Sequence, residues 1–329
     1  MSAYIPLSVP TLKGNELKYV KECIDTEWVS SAGKYVELFE QKIAEYTGSK
    51  YAVACVNGTA AIQVSLRLAG VKPSDEVIVS TLTFIASVNA ITYNNATPIF
   101  MDADKYYNLD SEKTIEFIKN ETVYKNGFTY NKNTDKKISA ILPVHVWGNA
   151  CWLDELINLC EERNIAVVED ACESLGTFYK EGKFNRKHTG AIGKLGCLSF
   201  NGNKIITTGG GGMILTDDQA LAEKAKYLTT QAKDDAIRYV HDEIGYNFRL
   251  TNIQSALGVA QLEQLPNILN RKKEIYNYYQ SAIENIDGLS ISKFPNYADN
   301  NHWMNLLKIE NKVYNEDREV LMKRLEENG

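Results

Sequence analysis

The sequence predicts an α/β fold with a mostly parallel central sheet. Short apolar segments of strand length alternate with helical patterns through the middle of the 329-residue chain. Strands that helices cover on both faces appear as continuous apolar runs, so these segments indicate a parallel sheet. With 44% apolar residues, the chain is long enough for one large domain and a smaller one.

The elements of the large domain follow in chain order. The predicted strands are YAVACV (51–56), EVIVS (76–80), TPIFMDAD (97–104), ISAILPVHV (138–146), IAVVEDA (165–171), LGCLSF (195–200) and GGMILTDD (211–218). Helical patterns lie between many of them: TAAIQVSLRLAG (59–70), a segment from about Phe84 to Tyr93, and WLDELINLCEERN (152–164). The polar run 119–137 interrupts this alternation and is predicted to be a surface insertion.

The C-terminal part has a different pattern. A long helical pattern extends from Thr251 to about Ile286 and is divided at Pro266. Beyond it lie the short strand candidates ISKF and NHWMNLLKIE, and then the final helix NEDREVLMKRLEENG.

These patterns predict two domains. We expect a large domain of residues 12–255 and a small C-terminal α/β domain of residues 256–329, joined by residues 1–11. A final helix with so few strand partners would form an incomplete layer. The chain is therefore expected to be truncated after Gly329.

Composition and charge exclude several classes of protein. The formal net charge of −6 argues against nucleic acid or an anionic membrane as a partner. Four histidines without a dense His/Asp cluster predict no metal site, and six cysteines without a C-x-x-C pair predict reduced thiols. The N-terminal residues lack the basic and apolar regions of a secretion signal, so none is expected, and no apolar stretch reaches membrane-spanning length. We therefore expect a soluble, cytoplasmic protein.

Three features lie where strands end, and ligands bind at the carboxyl ends of parallel strands. The first is VNGTAA (56–61), where Gly58 and Thr59 would present backbone N–H groups and a hydroxyl at a helix N-terminus. Such a helix start can bind a phosphate group. A plain strand-to-helix turn capped by Thr59 is the alternative.

The second feature is Asp170, which ends the run IAVVED. A buried carboxylate is unstable unless a cation or hydrogen-bond donor meets it. A protonated ring nitrogen of a cofactor, a helix N-terminus or an arginine would each serve. Glu169 points to the opposite face and is expected to be solvated or structurally paired.

The third feature is the loop SFNGNKIITTGGGG (199–212), in which Ser199 lies five residues before Lys204. A lysine that attacks a carbonyl must be fixed and partly desolvated, whereas a solvated loop lysine is the alternative. An anion site, a strand-end carboxylate and a strand-end lysine together are what pyridoxal 5′-phosphate requires.

Five motifs extend this interpretation into a resemblance. NGTAAIQVSL, TLTFIASVNAI, VVEDACESLG, SFNGNKIITTGGGGMI and GYNFRLTNIQSALGVAQL resemble, in order, motifs of the DegT/DnrJ/EryC1/StrS sugar aminotransferases. The similarity extends from about Pro6 to the end of the chain. HVWGNA, SFNGNK and the fourth glycine resemble the members that act in legionaminic-acid or bacillosamine pathways.

The resemblance implies a fold-type-I pyridoxal-phosphate enzyme and a role for each matching residue. Lys204 would bind the cofactor covalently and move a proton between the sugar's C4 and the cofactor. Asp170 would pair with the pyridine nitrogen and keep it protonated. Phe84 would stack on the ring; a core phenylalanine at a helix start is its alternative.

The resemblance also implies a phosphate site and a shared active site. Gly58, Thr59, Ala60 and Ser199 match the residues that hold the phosphate. Asn247 matches an asparagine that reaches this phosphate from the partner subunit, which implies a homodimer.

Two further segments would lie near the substrate. Arg249, which follows on the same segment as Asn247, is placed near the substrate's phosphates. The stretch WVSSAGKY (28–35) matches an N-terminal loop near the substrate, without assigned roles.

The implied reaction has two halves. An amino donor, expected to be L-glutamate, converts the cofactor to its intermediate form, pyridoxamine 5′-phosphate. A nucleotide-linked 4-keto-6-deoxy sugar then receives the amino group at C4, for the biosynthesis of surface-glycan amino sugars.

Two positions depart from the family pattern. Glu173 stands among the cofactor-binding residues where glutamine or histidine is common. A carboxylate near the cofactor's phenolic oxygen is repulsive, so Glu173 should have a raised pKa or turn away. Gly210 replaces a frequent glutamate, and a more permissive loop is expected.

Three other functions compete with this one. Relatives that remove a sugar hydroxyl carry histidine in place of the lysine, which Lys204 argues against. A regulatory or non-catalytic pyridoxal-phosphate-binding protein would not need Lys204, Asp170 and Ser199 together. A dinucleotide-binding enzyme is disfavoured because no G-x-G-x-x-G motif opens a helix.

Overall fold

The fold is a central sheet between helices, followed by a smaller C-terminal part. A computed structural model describes residues 4–235 and 237–329. The chain opens with helices α1 (Glu16–Asp25) and α2 (Lys34–Thr47). The large domain continues with β1 (Tyr51–Cys55), α3 (Gly58–Leu68), β2 (Glu76–Ser80), α4 (Ile85–Tyr93), β3 (Thr97–Met101), α5 (Ser111–Asn120), β4 (Thr122–Lys125), β5 (Phe128–Asn131), β6 (Lys137–Leu142), α6 (Asp154–Glu162), β7 (Ala166–Asp170), β8 (Phe178–Tyr179), β9 (Leu195–Ser199), β10 (Gly212–Thr216) and α7 (Gln219–Thr229).

The sheet confirms the predicted α/β class. Its strands follow the order β1-β10-β9-β7-β6-β2-β3. The neighbours from β9 to β3 are all parallel, and β10 is antiparallel to both β9 and β1. Since two reversals cancel, β1 points the same way as β9. The carboxyl ends of β1, β2, β6, β7 and β9 therefore meet at one edge of the sheet, called the carboxyl edge below.

Helices cover both faces of this sheet. In β1, Val53 and Cys55 pack with α3 and α7, while Ala52 and Ala54 pack with α2 and α8. This alternation is the expected period of two along a strand buried on both sides. Phe39 of α2 is fully buried in the second cluster, and truncating it to alanine would cost about 3–5 kcal/mol.

Two details differ from the sequence-based expectations. The polar insertion is a hairpin of β4 and β5, turned by Asn126 and Gly127 at φ +54° and +82°, and β5 extends the sheet beside β6. Positive φ at both turn residues matches the right-handed twist of a hairpin. The predicted division at Pro266 is wrong, because α8 (Asn252–Ile283) continues through it. Burial of Val259 and Leu265 against the sheet offsets the lost N–H of the proline.

The C-terminal part is small. It contains β11 (Leu289–Ile291), β12 (Ala298–Asp299), β13 (Leu307–Ile309), α9 (Asn311–Tyr314) and α10 (Arg318–Glu327). Strands β11 and β13 pair with each other, and β12 pairs with β8 of the large domain. The N-terminal residues lie against this part, where the Ile5 N–H donates to the Gly329 carbonyl at 2.7 Å. The proposed domain boundary stays a prediction. Across residues 4–235 and 237–329, every helix is too short or too polar to cross a membrane.

A buried histidine makes stability depend on pH. His188 is fully buried beside the rings of Tyr46 and Phe178, and its Nε2 accepts the Gly176 N–H at 3.0 Å. Burial lowers the pKa of His188 to about 4. The unfolded chain, with an ordinary histidine pKa, therefore binds more protons between about pH 4 and pH 6.5, so stability falls as the pH falls through this window.

We predict that His188→Gln flattens this dependence. The wild-type free energy of unfolding should fall by about 2–3 kcal/mol more than that of the variant between pH 7 and pH 4.5. Urea unfolding at both pH values measures the difference. His241→Gln, at an exposed histidine, is the control. Equal pH dependence in all three proteins would contradict the prediction.

Candidate active site

The carboxyl edge brings most of the predicted site residues together. Asp170 ends β7, and Glu173 follows in the next loop. Ser199 ends β9, and Lys204 follows it. Gly58 begins α3 directly after β1. The parallel alignment of the strands thus places residues from three separate segments around one space.

Asp170 is a buried carboxylate held by neutral donors. It is 5% exposed, its Oδ2 accepts from the Ser87 hydroxyl at 2.6 Å, and its Oδ1 accepts from the Cys172 N–H at 3.1 Å. The Thr83 hydroxyl extends this chain, 3.0 Å from that of Ser87. Within the described ranges, no lysine or arginine forms an ion pair with Asp170. The arginine partner that the sequence left open is absent there.

Ser87 was not identified as a site residue from the sequence. It lies three residues beyond Phe84 in TLTFIASVNAI, on the first turn of α4. A hydroxyl among apolar residues at the start of that helix was the available sign, because a buried hydroxyl needs a hydrogen-bond partner.

Glu169 is structurally paired, one of the two outcomes expected for it. Its Oε2 lies 2.9 Å from His145 Nε2, and its oxygens accept the N–H groups of Gly190, Ile192 and Gly193 at 2.7–2.9 Å. Burial works to raise the pKa of Glu169, but His145 and these donors outweigh it and lower the pKa. Glu169 thereby fixes the loop that leads into β9.

Lys204 is enclosed rather than solvated. Its side chain is 14% exposed, and Nζ lies 3.4 Å from Glu173 Oε1. Nζ also lies 4.2 Å from the centroid of the Trp303 ring, a cation–π distance. Trp303 comes from the C-terminal part, and the sequence interpretation assigned it no role in the site.

Glu173 faces Lys204 and does not turn away. Its Oε2 accepts the Trp147 N–H at 2.7 Å. Burial raises the pKa of the Glu173 carboxyl, and the opposing effect of Lys204 is smaller. Of the two outcomes expected for this departure from the family pattern, the structure therefore has the raised pKa.

The start of α3 has free donors next to Ser199. The Ala60 N–H donates to Asn57 Oδ1 at 2.8 Å, so the cap is Asn57 and not Thr59. The N–H groups of Gly58 and Thr59 have no partner within the described part of the chain. A Cβ on Gly58 would lie only 2.9 Å from Ser199 Cβ, so only glycine lets the helix start approach this closely.

The remaining predicted residues lie at the periphery. Phe84 precedes α4 and is 71% exposed. Arg249 forms an isolated antiparallel backbone bridge with Cys55, the last residue of β1. The exposed Asn247 forms a backbone bridge of the same kind with Thr230. Among residues 4–235 and 237–329, neither Asn247 nor Arg249 hydrogen-bonds to another predicted site residue through its side chain.

The donor set fits pyridoxal 5′-phosphate. The site offers an enclosed amine, a buried carboxylate with no cationic partner in the described residues, and free N–H donors beside a serine hydroxyl. These groups match the aldehyde, the ring nitrogen and the phosphate of the cofactor. Fold and site together define a pyridoxal-phosphate-dependent aminotransferase.

Comparison with known proteins shows the family. The family model described as the DegT/DnrJ/EryC1/StrS aminotransferase family matches residues 10–329. The chain belongs to this family. It is a pyridoxal-phosphate-dependent sugar aminotransferase.

Individual relatives agree with this assignment. The chain is 40% identical over 301 residues to the GDP-perosamine synthase of Escherichia coli O157:H7, covering 92% of this chain and 77% of that protein. It is 41% identical over 280 residues to the GDP-perosamine synthase of Caulobacter vibrioides, covering 85% and 70%. The crystal structure of the aminotransferase TlmJ from Streptoalloteichus hindustanus superposes with a TM-score of 0.86 at 25% identity, covering 99% and 83%.

Gly210 is not required by space. A Cβ there would have its nearest neighbour, Gln254 Nε2, at 3.7 Å, which is an ordinary contact. The Gly210 carbonyl accepts from Gln254 Nε2 at 2.9 Å and from the Thr208 hydroxyl. The loop can therefore accept a side chain at this position.

We predict opposite outcomes for two glycine substitutions. Gly58→Ala should destabilise the protein by about 1–3 kcal/mol and weaken cofactor binding, because its Cβ would lie 2.6 Å from Cys172 Sγ. Gly210→Ala should change stability by less than about 1 kcal/mol. Denaturant unfolding and titration with pyridoxal 5′-phosphate measure both effects. Equal effects of the two substitutions would contradict the close approach at Gly58.

Proposed function

We propose that this protein transfers an amino group from L-glutamate to C4 of a nucleotide-linked 4-keto-6-deoxy sugar. The product would serve surface-glycan biosynthesis. The observation that carries the proposal is the enclosed Lys204 amine, which shares the carboxyl edge with the buried Asp170. An enclosed amine and a buried carboxylate are the groups that bind the aldehyde and the ring nitrogen of pyridoxal 5′-phosphate.

Each residue would have a defined part. Lys204 would bind the cofactor's aldehyde, and when released it would move the proton between the cofactor and the sugar's C4. Asp170, oriented by Ser87, would hold a proton on the ring nitrogen. Gly58, Thr59 and Ser199 would bind the phosphate. The Ala60 N–H would join them only by leaving Asn57.

Phe84 would cover the ring with its exposed side chain. The bound cofactor would supply an electrophilic carbon and a ring that stabilises negative charge after proton loss. A raised pKa at Glu173 would let this residue stand near the cofactor's phenolic oxygen as a neutral acid.

The relatives direct the choice of sugar nucleotide. Two similar proteins are GDP-perosamine synthases, so a GDP-linked keto sugar is the first substrate to test. A UDP-linked sugar of the legionaminic-acid or bacillosamine type stays a second prediction. Both carry a negatively charged diphosphate, for which Arg249 is the candidate partner.

We further propose a homodimer with shared sites. Apolar side chains of α4 and the adjacent β3 are exposed, including Ile85 at 58%, Tyr93 at 55% and Phe100 at 52%. Contiguous exposed apolar residues mark association surfaces. Asn247 would then act in the partner's site, as the family resemblance implies.

We predict that Lys204→Ala abolishes cofactor linkage and transfer. The purified protein with pyridoxal 5′-phosphate should show a visible absorption band that L-glutamate removes. The variant should lack both changes and lose roughly 10³-fold or more in transfer rate. Lys194→Ala, an exposed lysine before β9, is the control. A band without glutamate response or amino transfer would favour the non-catalytic alternative.

A mixing experiment tests the shared site. Lys204→Ala and Asn247→Ala chains should each have low activity alone, but heterodimers of the two should regain about half of one wild-type dimer's activity. One of their sites would combine an intact Lys204 with an intact Asn247 of the other chain. Activity after co-expression measures this gain. No gain would mean that Asn247 acts within its own chain or not at all.

A further inference from the structure

The contact between Lys204 and Glu173 has a consequence beyond the proposed transfer. Their side chains are 14% and 13% exposed, and the shortest N–O distance is 3.4 Å. A lysine can attack an aldehyde only as a neutral amine, yet an adjacent carboxylate favours the charged ammonium. The pair must therefore be able to lose its charges.

The position of Glu173 is fixed by strained backbone. Its Oε2 accepts the Trp147 N–H at 2.7 Å, and Trp147 has left-handed backbone angles of φ 54° and ψ 25°. Such a conformation is costly for a tryptophan and persists where the surrounding structure requires it. Gly148 follows at φ +86°, and a Cβ there would collide with Asn301 Oδ1.

Asn301 connects both groups that contact Lys204. It is 1% exposed, and its Nδ2 donates to the Glu173 carbonyl at 2.9 Å and to the Leu175 carbonyl at 3.0 Å. Its Oδ1 accepts the Trp303 N–H at 3.0 Å. These hydrogen bonds fix the backbone of Glu173 and the backbone of Trp303 relative to each other on either side of Asn301.

The Trp303 ring limits hydration of the amine. Its Nε1 donates at 2.7 Å to the carbonyl of Asn203, the residue before Lys204, which holds the ring beside Nζ. The ring therefore excludes water from one side of Nζ and leaves Glu173 Oε1 as an acceptor within reach of the ammonium proton.

Other titratable groups lie around the pair. Burial raises the pKa of Glu173, Lys204 lowers it by a smaller effect, and Asp170 adds to the increase. Burial raises the pKa of the nearby Cys172 thiol well above its ordinary value, which keeps it neutral. From α8, Lys272 Nζ approaches the Trp303 carbonyl at 3.4 Å, and burial lowers the pKa of Lys272.

We propose that Glu173 accepts the proton of the Lys204 ammonium and so releases the amine that reacts with the cofactor. One N–H bond of Lys204 breaks, one O–H bond forms on Glu173 Oε1, and the pair changes from two opposite charges to two neutral groups. The inference rests on the proposed function, in which Lys204 binds the cofactor.

The transfer has a distinct pH signature. While the pair shares a single proton, the fraction of neutral amine is set by the balance between the two groups and does not change with pH. Without the carboxylate, the amine must lose its proton to water. Its neutral fraction then rises about tenfold per pH unit below the lysine pKa.

The test follows cofactor linkage rather than turnover. Cofactor-free protein is mixed with pyridoxal 5′-phosphate, and the rate at which the visible band appears is recorded between about pH 6 and pH 9. Each variant's rate is divided by the wild-type rate at the same pH, which cancels the titration of the cofactor itself. For Glu173→Gln, this ratio should rise with pH by about tenfold per unit until the lysine pKa is reached.

Glu40, a largely buried carboxyl group in another part of the protein, provides a matched control. Glu40 is also 13% exposed, burial raises its pKa, and it accepts the Ala54 N–H at 2.9 Å. Glu40→Gln should keep a ratio that does not depend on pH. Glu173→Asp, which retains a carboxyl group, should react more slowly than wild type but with a constant ratio.

The outcomes separate this inference from the proposed function. If Lys204→Ala still forms the band, the assignment of Lys204 fails, and the proposed function with it. If Lys204→Ala lacks the band but the Glu173→Gln ratio is constant with pH, only the proton transfer is overturned. If Glu173→Gln does not fold, a pH-dependent ratio for Glu173→Asp overturns it as well.

Discussion

The site depends on the parallel pairing of β7 with β9. This pairing sets Asp170 opposite Cys197, so that each strand ends within a few residues of the other. The chain beyond β7 carries Glu173, whereas β9 ends at Ser199 and the chain beyond it carries Lys204. A shift of register would separate the lysine from the carboxylates, because side chains on a strand change face at every residue.

The largely buried carboxyl groups at this edge are tolerated because each one has its own hydrogen-bond donors or a basic side chain beside it. Asp170 has a hydroxyl and an N–H, Glu169 has a histidine and N–H donors, and Glu173 has a lysine and one N–H. These arrangements differ in their consequence. The partners of Glu169 outweigh burial and lower its pKa, whereas burial outweighs Lys204 at Glu173 and raises the pKa of that carboxyl.

The C-terminal part contributes directly to the site. Asn301 and Trp303 lie between β12 and β13, and they contact Glu173 and Lys204 more than 90 residues away along the chain. Trp147 and Gly148 belong to the same contact region. The strained backbone of Trp147 directs its N–H to Glu173, and Gly148 leaves room for Asn301. Lys204 therefore lies where two parts of the molecule meet, a common location for small-molecule sites.

Local sequence was sufficient for the long strands of the central sheet, for helices α3, α4, α6 and α8, and for the positions of Asp170 and Lys204. Each of these follows from an apolar run and the polar residue that ends it. The sequence also contained a hairpin signal, Asn126–Gly127, which the interpretation missed. Pro266 was expected to divide the long helix, but packing keeps the helix continuous.

Only the tertiary structure decided which side chains surround those two residues. Ser87 meets Asp170 across 83 positions, and Lys204 meets Glu173 across 31. Such contacts depend on strand order and on the direction of each side chain, neither of which a local pattern encodes. The pKa of Glu173 depends on burial by distant segments. For this reason the sequence could state two possible outcomes for this residue, and the packed fold selected one.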